Sequence, residues 1–192
     1  MDFILASSSP RRKELLNLVG IDPLVICPDI KENLIDGESL EKFLERITAE
    51  KAWGIYRDTY LNSVIFSADT IVLLQDKILG KPVDRRHATT MLASLSDQMH
   101  EVWTGISIVY QQKIYFDYQR TKVYFEKISN SEIEYYLDHE QYLDKAGAYA
   151  IQGRASVFVK KIDGCYFNVM GLPLHLIMQM LKKIDIQIYS NR

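Results

Sequence analysis

The stretch FILASSSPRRKELLNLVG, residues 3–20, decides the fold class. Phe3-Ile4-Leu5-Ala6 has the length and composition of a short buried strand, and Ser7-Ser8-Ser9 reads as a polar turn. Pro10 suits the first helical position, where its fixed φ is already helical and its missing N–H costs nothing. The residues after it read as a helix ended by Gly20, with Leu15, Leu16, Leu18 and Val19 on the apolar side. The order strand, polar loop, helix brings hydroxyls to a helix N-terminus, where unpaired N–H groups and the positive end of the dipole favour an anion.

Working outward, residues 23–36 read as a short strand and a loop. Ser39 to Arg57 reads as a helix capped by Ser39, with Leu40, Phe43, Leu44, Ile47 and Trp53 near helical spacing. Val64–Phe66 and Thr70–Leu74 are strand-like, with Ser67-Ala68-Asp69 between them and a turn at Gln75-Asp76. Lys77 to Gly80 leads into Lys81-Pro82, and Asp84 can cap a helix over 85–95. Residues 100–110 and 113–125, rich in β-branched and aromatic side chains, read as a hairpin across Gln111-Gln112. A helix over 130–139 begins at Asn130 or Ser131, with Glu134 completing a capping box. Residues 145–153 read as strand and loop, 157–159 and 166–169 as short β segments, and 172–184 as a closing helix. Strands alternating with helices, and a long hairpin in the second half, predict an α/β protein with a mixed sheet.

Composition narrows the function. The chain has 192 residues, 47% hydrophobic and 25% charged, which suits one globular domain, or two small lobes sharing a cleft, and excludes a disordered or fibrous chain. With 23 Lys+Arg against 25 Asp+Glu the net charge is -2, so a general nucleic-acid coat is disfavoured and any anion site must be a local concentration of positive charge. Cys27 and Cys165 form no CxxC, which argues against a zinc cage or disulfide framework. The four histidines show no HxH or HExxH spacing. No apolar run approaches a secretory signal core or a membrane span. A cytoplasmic protein without a membrane partner is expected.

Several segments carry candidate chemistry. Ser7-Ser8-Ser9-Pro10-Arg11-Arg12 combines short donors, a helix N-terminus and two guanidiniums, the set that phosphate oxygens accept from. It also fits a polar cap followed by solvated arginines. Asp69 follows an apolar strand, where catalytic and metal-binding carboxylates commonly stand, or where an Asp simply bonds its own turn. Gly80-Lys81-Pro82 lets backbone approach a ligand, or forms a surface turn. Lys51, taken alone, is expected to point into water. Gln152 in Ile151-Gln152-Gly153 can offer a donor and an acceptor together, or lie exposed on a turn.

Together, ILASSSPRRKELL, SADTIVLLQDKILGKPVD and LDKAGAYAIQGRASVFVKKIDGCYFNVMGLPL resemble the Maf family of nucleoside triphosphate pyrophosphatases, in order and over essentially the whole chain. The resemblance implies one domain over 1–192, built as an elongated mixed sheet with two lobes flanking a cleft, similar to the inosine triphosphate pyrophosphatases, and a homodimer. It implies hydrolysis at the α-phosphate to a monophosphate and pyrophosphate. The IQG, SPRR and GKP segments are similar to the branch acting on dTTP, UTP and modified pyrimidine nucleotides. Asp69 then matches the general base, and Ser7, Arg11, Arg12, Lys51 and Lys81 match the phosphate-binding set. Thr70 and Gln152 match positions near base and sugar, and Mg²⁺ or Mn²⁺ is the implied cofactor.

Two positions depart from the family pattern. Lys31 stands where an acid is usual, with Glu32 beside it, and Ala155 stands where glycine is common. The metal role is therefore expected to fall to Asp69 with Glu32, the alternative being Asp69 with phosphates and water alone. A different class of function, a nucleotide-sensing regulator of division or septum formation without turnover, has no need of a base at Asp69.

Overall fold

A computed structural model describes residues 1–189. Among these the elements run β1 (Phe3–Ala6), α1 (Pro10–Leu18), β2 (Leu24–Ile26), α2 (Leu40–Ile55), β3 (Val64–Leu74), β4 (Lys77–Leu79), α3 (Arg85–Leu95), β5 (Met99–Tyr110), β6 (Lys113–Phe125), α4 (Asn130–His139), β7 (Val159–Asp163), α5 (Tyr166–Val169) and α6 (Leu174–Lys183). The strands make a seven-stranded sheet in the order β2-β1-β3-β5-β6-β7, with β4 paired to β3. β1 is parallel to both β2 and β3, whereas β3–β4 and β6–β7 are antiparallel. The sheet is thus mixed, as the alternation of helices and hairpin predicts. Flanked by parallel strands on both sides, β1 reads as an unbroken apolar run because it is covered on both faces. Among the described residues no helix is long and apolar enough to cross a membrane.

The packing divides into two compact units. The first takes Met1–Asp69, Thr104–Gln119 and, among the described residues, 171–189. Here α2 presents Phe43, Leu44, Ile47, Thr48, Lys51, Ala52 and Ile55 inward. Ala52 and Ile55 join Ile4, Ala6, Ile65 and Val109 in one core cluster. Gly105 lets α2 approach β5 closely, since a Cβ there would lie 2.8 Å from Leu44 Cβ.

The second unit takes Thr70–Trp103 and Arg120–Met170. Its core gathers Leu92 and Leu95 of α3, Val102 of β5, Val123 and Phe125 of β6, and Ile133 and Tyr136 of α4, with Tyr149 and Phe158. Gly147 has φ +69° and donates its N–H to Gly80 O at 3.0 Å. That bond ties the DKAGAYA segment to the GKP turn.

Several sequence expectations are corrected. β3 is one unbroken strand, so Ser67-Ala68-Asp69 lies inside it rather than between two strands. The Ser67 and Asp69 side chains bond to α2, so these residues need no turn to satisfy their polar groups. The capping box of α4 is Ser129 with Glu132; Glu134 instead bonds Arg85 at 2.6 Å. Residues 145–153 contain a short 3₁₀ turn rather than a strand, and 166–169 are helical. On α1 only Leu15 and Leu16 are buried, leaving Leu18 in solvent, and Trp53 of α2 is likewise exposed. The hairpin turn holds as expected, with Gln111 at φ 48° and Gln112 at φ 60°, the paired positive values of a type I′ turn.

His100 titrates abnormally. Its Nε2 lies 2.7 Å from Tyr149 Oη and its ring packs edge-on against Phe125 and Tyr149, while Nδ1 has no hydrogen-bond partner among the described residues. A proton added there would place a charge in the core, so burial lowers the pKa to about 4. Between the ordinary 6.5 and about 4 the unfolded chain takes up a proton that the native chain refuses, so stability falls as pH drops through that window. The contribution is about 2–3 kcal/mol. Urea unfolding at pH 7 and pH 4.5 should show this loss in the wild type and a correspondingly smaller loss in His100→Gln; an identical pH dependence would refute the assignment.

Candidate active site

The first unit builds its site at the end of β1. Ser7, 5% exposed, follows the strand directly, and its Oγ accepts from Ser9 N–H at 3.2 Å and from Arg12 Nη1 at 3.1 Å. The Arg12 Nε donates to Gly171 O at 3.0 Å, so the guanidinium is gripped from two sides. Ser9 stands at the N-cap of α1 without a side-chain cap bond, and the first turn carries no acid. The positive end of the helix is therefore not neutralised from within the turn.

Lys51 contradicts the expectation drawn from its helix alone. It is 6% exposed, and its Nζ lies 2.5 Å from Asp69 Oδ1 and 2.7 Å from Glu32 Oε1. Asp69 is 8% exposed. A lysine this deep requires carboxylate partners to offset its lost hydration, and α2, β3 and the loop before α2 each supply one member. Lys31 is exposed, while its neighbour Glu32 makes the contact.

Arg12 completes the electrostatics. Burial lowers its pKa below the ordinary guanidinium value, an effect opposed by the charges of Asp69 and Glu32 and reinforced by Arg11. Arg12 and Lys51 thus interact with Asp69 and Glu32, and Arg11 adds a further positive charge acting on Arg12, in a chain whose net charge is -2.

The second unit carries the remaining predicted residues. Thr70 is half-buried and directly follows Asp69 on β3, so the two side chains leave opposite faces of the strand. Lys81 is exposed, between Gly80, fixed by Gly147, and the buried Pro82. Gln152 is exposed between buried Ile151 and Gly153, whose φ of +82° favours glycine. Glu140 Oε1 accepts from both the N–H and Nη1 of Arg154, fixing the chain after Gly153. Ala155 is fully buried.

The structure therefore groups Ser7, Arg11, Arg12, Glu32, Lys51 and Asp69 in one unit and holds Thr70, Lys81 and Gln152 in the other. Among the described residues no three His, Cys, Asp or Glu side chains are placed to share a metal ion. Glu32 and Asp69 nevertheless converge on one point, now filled by the Lys51 ammonium. Two carboxylates suit a hard divalent cation that keeps its other positions for water and phosphate.

Sequence reading passed over the buried hydroxyls of Thr48, Ser67 and Ser107, all fully buried in the first unit. Their signal was positional. Thr48 and Lys51 stand three apart on the apolar face of α2, and Ser67 and Asp69 stand two apart on β3.

The fold and sequence have clear relatives. The Staphylococcus aureus Ham1 protein superposes with a TM-score of 0.53 over 96% of this chain and 100% of its own, at 13% identity. That likeness concerns the fold alone. A protein of Symbiobacterium thermophilum named dTTP/UTP pyrophosphatase is 41% identical over 187 residues, covering 97% of this chain and 96% of its own. One of the same name from Syntrophomonas wolfei is 42% identical over 189 residues, covering 97% and 100%. The family model described as Maf-like protein matches residues 2–184, and with that match spanning both units the chain belongs to the Maf-like family.

Proposed function

We propose that this protein hydrolyses nucleoside triphosphates, with dTTP and UTP foremost, to the monophosphate and pyrophosphate. The observation that carries the reading is the buried Lys51 held between Asp69 and Glu32 beside Ser7 and Arg12. Full-length similarity of about 40% to relatives named for that reaction supports it.

The chemistry follows from the groups. Asp69 takes a proton from the attacking water, whose oxygen bonds to the α-phosphorus as the bond to the bridging oxygen breaks and pyrophosphate leaves. Lys51 holds the carboxylate in place. Ser7, Arg11 and Arg12 donate to phosphate oxygens, where fixed cations out of bulk water stabilise the developing charge. For Lys81 the reading is a cation for the triphosphate, for Thr70 a hydroxyl near the sugar, and for Gln152 a paired donor and acceptor for a pyrimidine edge. Asp69 and Glu32 would hold Mg²⁺ or Mn²⁺, which when bound neutralises phosphate charge and polarises the scissile linkage. A cytoplasmic homodimer is the assembly and location that go with this reading.

Pyrophosphate release across a panel of canonical and modified triphosphates tests the reaction against simple nucleotide sensing; binding without release would overturn it. Asp69→Asn keeps shape and removes the proton acceptor, so kcat should fall by roughly 10²–10⁴ with a smaller change in KM. Near-normal turnover in a folded Asp69→Asn protein would remove Asp69 from the role.

Charge and metal separate in two further measurements. Arg12→Ala should weaken every triphosphate alike, whatever the base, and a loss confined to pyrimidine substrates would place Arg12 in base recognition instead. Glu32→Gln should raise the Mg²⁺ concentration for half activity several-fold while Lys31→Gln leaves it unchanged. If Glu32→Gln has an unaltered requirement, Glu32 is not a metal ligand.

A further inference from the structure

Beneath Lys51 and Asp69 lies a second set of polar contacts. Thr48 Oγ1 donates to Leu44 O at 2.7 Å and lies 2.7 Å from Ser107 Oγ. A hydroxyl has one proton; with that of Thr48 given to Leu44 O, Ser107 is the donor to Thr48. Ser67 Oγ donates to Thr48 O at 2.6 Å. All three side chains are fully buried. The protons therefore run one way, from β3 and β5 into α2, and each hydroxyl gives its proton to a partner.

We propose that Thr48, Ser67 and Ser107 are positioning residues that fix the register of α2 on the sheet and so hold Lys51 at Asp69. The geometry is a ladder. On α2, Leu44, Thr48 and Ala52 are one turn apart, about 6 Å. On β5, Gly105, Ser107 and Val109 share a face at a similar spacing of about 7 Å. Leu44 meets the bare backbone of Gly105, Thr48 meets Ser107, and Ala52 lies in one core cluster with Val109. On β3, Ser67 and Asp69 share a face in the same way. Thr48 bonds Ser67 through its carbonyl, and Lys51, three residues on, bonds Asp69.

The hydroxyls add direction to what apolar contact supplies. Hydrophobic burial is non-directional, whereas these hydrogen bonds add a directional constraint to the close packing of Leu44 on Gly105. A displacement of about 1 Å at a catalytic group can cost as much as 10²-fold in rate. Placing hydroxyls one rung from the ion pair therefore restricts α2 where misplacement would be felt.

The inference rests on Asp69 being the base, and its test is chosen to stand apart from that reading. Thr48→Val and Ser107→Ala delete hydroxyls at nearly constant volume, and Thr48→Ser keeps one. In the two deletions kcat for pyrophosphate release from dTTP should fall about tenfold with KM within about twofold, and Thr48→Ser should recover kcat to within about twofold. Acetylation of Lys51 by an N-hydroxysuccinimide ester of acetate, followed by peptide mass spectrometry, should accelerate several-fold in the deletions and not in Thr48→Ser. Ile133→Val, a core change in the second unit, should lower the Tm without moving either readout. Unchanged Lys51 acetylation or unchanged kcat in the deletions, or Thr48→Ser behaving like Thr48→Val, overturns the proposal. A wild type that releases no pyrophosphate sinks the activity reading instead, and the acetylation comparison then decides the positioning role alone.

Discussion

An ammonium buried between two carboxylates is the constraint on which the first unit turns. Lys51 has lost nearly all its water, and so has Asp69. Removing Lys51 would leave the buried Asp69 carboxylate without its hydrogen-bonded cation, a loss of several kcal/mol in buried pairs. The arrangement therefore holds only while α2, β3 and the loop bearing Glu32 keep their mutual placement. The neighbouring helix supports it in its own way: Arg12 is tied to Ser7 at the end of β1 and to Gly171 near the start of α6. Two cations are thus fixed by contacts made before any ligand arrives, which is the preorganisation that electrostatic catalysis relies on.

The same cluster explains why whole-chain charge is a poor guide. A net charge of -2 says nothing about Arg12 and Lys51 meeting two carboxylates in one corner of the fold, with Arg11 acting on Arg12. The remaining acids are spent elsewhere, as where Glu38 binds Arg46 or Glu134 and Asp138 bind Arg85. Those pairs are exposed or partly so, and each contributes little to stability.

Where local signals were strong, the chain was legible. The apolar run before three serines, Ser39 capping α2 through Lys42 N, Asp84 capping α3 through His87 N, and the long hairpin all lie where pattern and propensity placed them. Segments governed by distant partners were not legible. Asp69 looked like a strand end because Ser-Ala-Asp is polar and small, yet its side chains are answered from a helix about twenty residues earlier in the chain. Lys51 looked solvated because its two carboxylates stand eighteen and nineteen positions away in opposite directions. The chain between α4 and β7 carries alternating apolar residues that mimic a strand, but Gly147 and Ala148 both adopt positive φ and break it into turns. Residue types at family spacing pointed to the site; burial and pairing came only from the fold.

The bond from Arg12 to the Gly171 carbonyl spans 159 positions, and it bears on the history of each molecule. During synthesis from the N-terminus, β1, α1 and Arg12 emerge well before their carbonyl partner and α6. The first unit is also interrupted twice by segments of the second. Contacts so far apart in sequence are slow to form and cannot be completed one domain at a time. A chain still attached to the ribosome lacks the group that orients Arg12 until Gly171 has been made and released from the exit tunnel. A truncated chain ending before Gly171 never gains it, so the grip on Arg12 depends on the polypeptide having been made at least as far as that residue.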